Sequence, residues 1–580
     1  MEAQYPYQDA GLSVHQRVED LLSRMPLADK VGLMFHTIAV PADVDAVVPL
    51  FGERSLRSLV DKGLRHFNVL GSLPDGRSFA QWHNSVQSAA LRHPLGIPVT
   101  FSSDPRHHFG DNPLTQMMAG PFSLWPEPLG LAAIGSADRV REFADIVRQE
   151  YLAVGIRVAL HPQLDVATEP RWSRINTTFG EDAELTSRLG VAYVDGLQGA
   201  RLGADSVAAM VKHFPGGGPQ LDGNDPHFGW GREQVYPGDN AAYHLRPFRA
   251  ALDAGAVEVM PYYGMPVGTD WDEVGFGFNK SVITGLLRDE LGFDGIVCTD
   301  WGLVSDHPDL GDLGVARAWG VEHLGPADRA LRVIEAGADQ FGGEDCTEVL
   351  LGLVRDGRVS ESRIDESVRR LLRVTFTLGL FEHPFVDEEA ASITLGRSDF
   401  RDAGLAAQRD SLTLLTNTGL LPLARGAKVF APQISAAALE GHATRVDDPA
   451  AADVAVLRIK APYEPRTEGM AALFHHGSLE FAAEEVRRIR AVCAAVPTVI
   501  DVYLDRPAVL TPLAGAAAAL IANFGVSERA LIAVLFGAAE PRGTLPFDLP
   551  RSDAAVAASR TDVAFDTADP LFRFDHGLRY

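Results

Sequence analysis

Through its first 380 residues the chain keeps repeating one pattern. A short apolar run stops abruptly at polar side chains, and a helix-like stretch leads to the next run. Residues 66–71 end in glycine, and residues 96–101 run into Ser102-Ser103-Asp104. Residues 156–160 lead to His161, 207–211 to Lys212 and His213, and 257–260 to Pro261-Tyr262-Tyr263. Residues 295–298 lead to Thr299-Asp300-Trp301, and residues 337–341 form one more run. Uninterrupted apolar runs bounded by glycines suit strands buried on both faces. A spacing of roughly 30–60 residues with helices between suits βα units. The helix over 136–154 is the clearest: Ser136 is placed to cap it, Val140, Phe143, Val147 and Tyr151 form its apolar face, and Gly155 stops it. Residues 14–35 read as a helix interrupted at Pro26. The expected fold class is therefore α/β, with a (β/α)8-like TIM barrel over residues 1–385. In such a barrel the polar residues at strand C-terminal ends line the active site.

The chain has 580 residues, too many for one core. Residues 381–400, with Pro384, Asp387, Glu388 and Glu389, lack periodicity and read as a linker, placed at 386–402. Beyond it, strands are expected at 412–415, 428–430, 454–459, 499–504 and 520–524, and helices at 479–492 and 528–536. These suggest a second, smaller domain over 403–580, with a parallel or mixed sheet covered by helices. No glycine-rich phosphate loop occurs in it, and alanine-rich 514–519 reads as helix or core.

The formal net charge of −25 argues against nucleic acid and anionic membranes as partners. It says little about a neutral small-molecule substrate such as a sugar, and a homo-oligomer is compatible with it. Cys298, Cys346 and Cys493 are too scattered for a disulfide framework or a metal site, and Cys298 reads as a buried apolar residue. The first residues lack the basic and apolar regions of a signal peptide, and no apolar stretch is long enough to span a bilayer, so a cytoplasmic protein is expected.

Asp300 stands where the run Gly295-Ile296-Val297-Cys298 gives out. A carboxylate there is a catalytic group or the cap of the next helix. Other motifs favour catalysis. Lys212-His213-Phe214-Pro215-Gly216 resembles a motif of glycoside hydrolase family 3. The segment 292–302 resembles that family's nucleophile segment, and Glu169-Pro170-Arg171-Trp172-Ser173-Arg174 its arginine segment, with Ser173 where glycine is usual. Thr544-Leu545-Pro546-Phe547 and Gly577-Leu578-Arg579-Tyr580 are similar to its closing motifs, with Arg579 in place of serine.

The resemblance implies a retaining exo-glycosidase, most often a β-glucosidase, in which the second domain, an α/β sandwich over 403–580, completes the active site. It makes Asp300 the nucleophile, kept ionised by Lys212 or Arg174 nearby. It assigns Asp104, Arg174, Lys212, His213 and Tyr263 to the substrate, and Trp301 offers a face to the sugar. Arg171 is expected in a structural ion pair. The flanking glycines that many members carry around the Asp104 segment are missing, which bears on the sugar more than on the reaction. The partner carboxyl is expected in the loop after 454–459, where Glu464 and Glu468 both qualify and Glu464 is better anchored. Two carboxyl groups about 5–5.5 Å apart are what a retaining mechanism requires. His107 and His108 lack a further ligand at metal spacing, so no metal or cofactor is expected. His475 and His476 keep open a phosphorylase or transglycosylase on the same scaffold, and a sugar-binding protein without turnover is the remaining alternative.

Overall fold

The computed structural model describes residues 5–48, 54–110, 112–307, 311, 314–467 and 469–580. The first sheet has eight parallel strands: β1 (Phe35–Ala39), β2 (His66–Val69), β3 (Thr100–Ser103), β4 (Ile156–Ala159), β5 (Ala208–Phe214), β6 (Glu258–Pro261), β7 (Ile296–Val297) and β8 (Phe341–Gly342). Neighbours follow chain order from β1 to β7, and β8 pairs with β1. The sheet curls so that β7 and β8 meet through a parallel bridge between Cys298 and Gln340. Helices cover its outside. The helix Ala137–Val154 is capped by Ser136, whose hydroxyl accepts from the Arg139 amide, and it stops at Gly155 in a left-handed conformation (φ 84°). Its apolar stripe of Val140, Phe143, Val147 and Tyr151 is buried, as its spacing requires.

Three expectations needed correction in this half. The region 14–35 ends in a strand, because residues 35–39 form β1 rather than the tail of a helix. The third strand lies over Thr100–Ser103, a few residues later than its apolar run. The supposed linker is largely helical: Glu388–Thr394 is capped by Asp387, and Ser398–Ser411 begins a second helix. The acids that looked like linker residues serve as a cap and a first turn, where carboxylates suit the helix dipole.

The second sheet holds β9 (Thr413–Asn417), β10 (Lys428–Phe430), β11 (Thr444–Val446), β12 (Val454–Lys460), β13 (Thr498–Tyr503) and β14 (Ala519–Asn523). Its order is β9-β14-β13-β12-β10-β11, parallel except for β9. The carboxyl ends of β12 to β14 face the barrel. A cavity of about 500 Å3 lies there, between Arg458, Lys460, Asp505 and Asn523 on one side and Asn112 and Asn176 on the other. The segment after residue 544 crosses back to the barrel. Barrel Glu181 accepts from the Asp548 and Phe565 amides. Asp562 accepts from Gly238 and Asn240 at 2.8 and 2.9 Å.

Candidate active site

The site forms at the carboxyl ends of the barrel strands. Asp104 follows β3, Lys212 and His213 lie at the end of β5, Tyr263 follows β6, and Asp300 follows β7 by three residues. Asp104 is fixed from two sides: Lys212 Nζ lies 2.7 Å from Oδ1, and Asn68 Nδ2 donates to Oδ2 at 3.0 Å. Lys212 is therefore committed to Asp104, which leaves Arg174, the other candidate, to support Asp300. Arg174 feels the Asp300 charge. Its Nη1 donates to His213 Nε2 at 3.2 Å, and Nη2 to Gln163 Oε1 at 3.1 Å. Burial opposes the charge on Arg174, yet Tyr262, Asp225, Asp300 and Asp165 around it raise its pKa.

His213 links this cation to the nucleophile position. Its Nδ1 lies 2.7 Å from Asp165 Oδ2, and its Nε2 lies 3.9 Å from Asp300 Oδ2. Burial first, then Arg174, hold the His213 pKa well below its ordinary value. A neutral ring fits the contacts: the proton on Nδ1 goes to Asp165, and Nε2 accepts from Arg174. Asp165 also accepts from the His213 and Gly217 amides, and burial raises its pKa to about 6.

Asp300 itself is 7% exposed. Its Oδ1 accepts from the Trp301 amide at 2.9 Å, and its Oδ2 is buried with no hydrogen bond from the described residues. Tyr263 brackets the same peptide. Its hydroxyl accepts from Trp301 N at 2.9 Å and donates to Trp301 O at 2.8 Å. Burial and then the Asp300 charge push the Tyr263 pKa well up, so the phenol stays protonated. Trp301 rests on the backbone of Gly342 and Gly343, where an added Cβ would collide with the indole, and its ring lies 5.3 Å from that of His36. The six barrel residues singled out from sequence for the substrate and the nucleophile thus form a connected network, with Trp301 on its edge.

Glu464 stands apart from that network, in the second domain. Its amide donates to His476 O at 2.9 Å, and its Oε1 accepts from Ser478 N at 3.4 Å. The charged side chains around it are Arg466, His476 and Arg506. Arg466 lies 3.4 Å above the ring of barrel Trp230 and donates to Asn224 at 3.3 Å, which brings this loop to the barrel rim. Glu468 lies outside the described residues. His475 pairs with Asp505 and stacks on Tyr463 at 3.7 Å. Arg171 makes an ion pair with Glu169, at 2.8 Å. His107 is held by Glu150 at 2.9 Å and His108 by Pro126 O at 2.8 Å, both in the core.

One pair escaped the reading of the sequence. His227 Nδ1 lies 2.6 Å from Asp225 Oδ1, and its ring sits 4.8 Å from Tyr263 and 5.0 Å from Phe474 of the second domain. Burial alone would raise Asp225, but His227 and then Arg174 hold its pKa below the ordinary value. An Asp-x-His triplet in a glycine-rich loop after a barrel strand was the available signal.

Residues 63–374 match the family model "Glycosyl hydrolase family 3 N terminal domain", and residues 432–580 match "Glycosyl hydrolase family 3 C-terminal domain". The chain belongs to glycosyl hydrolase family 3. As a family 3 member it is a glycoside hydrolase. It is 49% identical to "Beta-glucosidase C" of Emericella nidulans, over 99% of this chain and 94% of that protein. It is 40% identical to "Periplasmic beta-glucosidase/beta-xylosidase" of Dickeya chrysanthemi, over 99% of this chain and 91% of that one. Its fold matches a β-glucosidase from Erythrobacter marinus with a TM-score of 0.82 at 23% identity, covering 100% of this chain and 84% of the other. It also matches the Listeria innocua β-glucosidase solved with isofagomine, with a TM-score of 0.77 at 24% identity, covering 97% and 83%.

Proposed function

We propose that this family 3 hydrolase is an exo-acting, retaining β-glucosidase that works through a glycosyl-Asp300 intermediate. The observation that carries the reading is the asymmetry of the Asp300 carboxylate. One oxygen is held by the Trp301 amide, while Oδ2 has no hydrogen-bond partner among the described residues. A carboxylate oxygen left unpaired in a buried polar cluster is costly unless a ligand meets it. In the first step Oδ2 attacks the anomeric carbon, the bond to the leaving oxygen breaks, and that oxygen takes the proton of Glu464. In the second step Glu464 removes a proton from water, the water oxygen attacks the same carbon, and the Asp300 carboxylate leaves. Asp104 and Lys212, already paired, bind hydroxyls of the terminal sugar by charge-assisted hydrogen bonds. Arg174 keeps positive charge near the carboxylate. The close relatives named for β-glucosidase activity support glucose as the sugar.

The test is turnover of 4-nitrophenyl β-glucoside by wild type and Asp300→Asn, with 2-deoxy-2-fluoroglucosyl fluoride as a trap. The substitution is expected to lower kcat by at least about 10⁴-fold, and the trap to add one fluoroglucosyl mass to Asp300 in the wild type. Equal turnover in the two proteins would overturn the assignment. Glu464→Ala is expected to slow substrates with poor leaving groups strongly and to regain rate with azide. If it does not, His227→Ala identifies whether the histidine beside Tyr263 is the proton donor instead.

A further inference from the structure

We infer that Arg506 is a positioning residue for the proton donor, clamping the loop that carries Glu464 onto the barrel segment that carries Arg174. The inference rests on the reading of Glu464 as the acid/base.

Arg506 follows β13 by three residues and is only 1% exposed. A buried guanidinium ordinarily faces a carboxylate. Here no carboxylate among the described residues pairs with it, and its partners are five backbone carbonyls. Nη2 donates to Pro462 O at 2.7 Å, His476 O at 3.0 Å and Ser478 O at 3.1 Å. Nη1 donates to Gly477 O at 3.2 Å and to Arg171 O at 3.0 Å. Four of these carbonyls belong to the two limbs that bracket Glu464. The His476 carbonyl receives Arg506 Nη2 and the Glu464 amide together. The fifth belongs to the barrel, three residues before Arg174.

The consequence is geometric. From Arg174, the path to the nucleophile runs through His213 Nε2 at 3.2 Å and on to Asp300 Oδ2 at 3.9 Å. One planar side chain therefore fixes the Glu464 loop against the segment that surrounds the nucleophile. A retaining glycosidase depends on the separation of its two carboxyl groups, and in this chain they come from different domains. Lysine cannot replace this arrangement, because an ammonium has three donors on a flexible stem and no planar fork. Burial lowers the Arg506 pKa to about 10, so it stays charged at neutral pH.

The test compares phenyl β-glucoside, which needs protonation of its leaving oxygen, with 2,4-dinitrophenyl β-glucoside, which does not. Wild type, Arg506→Ala, Arg506→Lys and Glu464→Ala are measured on both, alongside thermal melts. Arg506→Ala is expected to lose at least about 100-fold in kcat/KM on the phenyl substrate and less than about fivefold on the dinitrophenyl one, in line with general acid catalysis. Arg506→Lys should fall between, and added guanidinium should restore part of the phenyl activity of Arg506→Ala alone. Parallel losses on both substrates, or no loss, with Glu464→Ala still split, would overturn the role of Arg506 and leave Glu464 standing. No split in Glu464→Ala would overturn the acid/base reading, and this inference with it. If Arg506→Ala does not fold, the ratio of the two rates in Arg506→Lys decides by the same criterion.

Discussion

Asp300 commits one oxygen to the backbone and keeps the other without a hydrogen bond from the described residues, and Tyr263 holds that backbone in place. The Tyr263 hydroxyl bridges the amide and the carbonyl of Trp301, the peptide whose N–H also meets Asp300. Tyr263→Phe removes both bonds and leaves the Trp301 carbonyl without this donor, a change worth about 1–3 kcal/mol. The variant is expected to lose roughly 10- to 100-fold in kcat with a smaller change in KM, and to melt at a lower temperature. Steady-state kinetics and calorimetry on the same preparation check this. An unchanged kcat would mean that the orientation of Asp300 does not depend on the phenol. Lys212 teaches a different lesson. As a sequence position it looked like a counter-ion for the nucleophile, and the fold gives it to Asp104 instead. Residue type and strand end were legible, but the partner was not, because partner choice depends on how adjacent strands are staggered.

At the scale of the element, the turn that follows His476 decides where the Glu464 carboxylate can sit. Gly477 has φ 74°, and a Cβ added there would overlap the Glu464 carboxylate. Gly441 has φ 76° and nothing within 4 Å of an added Cβ. Alanine at either position meets the same backbone strain, of about 1 kcal/mol, but only Gly477→Ala displaces the carboxylate. Gly477→Ala is expected to lose phenyl glucoside hydrolysis selectively, whereas Gly441→Ala keeps the wild-type ratio of phenyl to dinitrophenyl rates. Matching profiles for the two variants would separate Glu464 from the chemistry. The elements that could be read from sequence were those buried on both faces, such as β14 up to Asn523 and β5 up to Lys212, whose burial leaves an unbroken apolar run. β1 was missed because His36 and Thr37, both buried, interrupt its run. β11 was missed because it is a short edge strand whose first two residues are exposed. The helices after residue 386 were hidden by their acids, which mimic the composition of a linker.

Over the whole molecule, three buried carboxyl groups oppose alkaline conditions. Burial raises Glu127, Glu181 and Glu258 to about 8 each, and for Glu258 burial is the sole cause. Their folded pKa values lie above the unfolded value of 4.5, so the folded chain binds more protons between those limits. Their contribution to stability is complete below about pH 4.5 and is lost as pH rises through about 8. Buried histidines such as His36, His66, His83, His108 and His244, whose folded pKa values lie below the unfolded 6.5, act in the opposite sense at lower pH. The fall in folding free energy from denaturant melts is therefore expected between pH 7 and pH 8. Glu258→Gln should flatten that slope by about a third, with a difference on the order of a few kcal/mol at pH 8. A slope unchanged by the substitution would mean that Glu258 does not titrate in this range.

Glu181 also ties the molecule to the order in which it is made. It lies in the barrel, yet the amides that donate to its carboxyl group are 367 and 384 residues further along the chain. At about 5–20 residues per second on the ribosome, that gap lasts roughly 20 to 75 seconds. A growing chain carries Asp300 and its whole network of partners well before the latch arrives. Until residues 548 and 565 are made, Glu181 lacks the two amides that cover it in the finished fold. Burial raises the Glu181 pKa to about 8 in the finished fold, so docking of this segment takes up a proton at neutral pH, and mildly acidic surroundings favour the docked state.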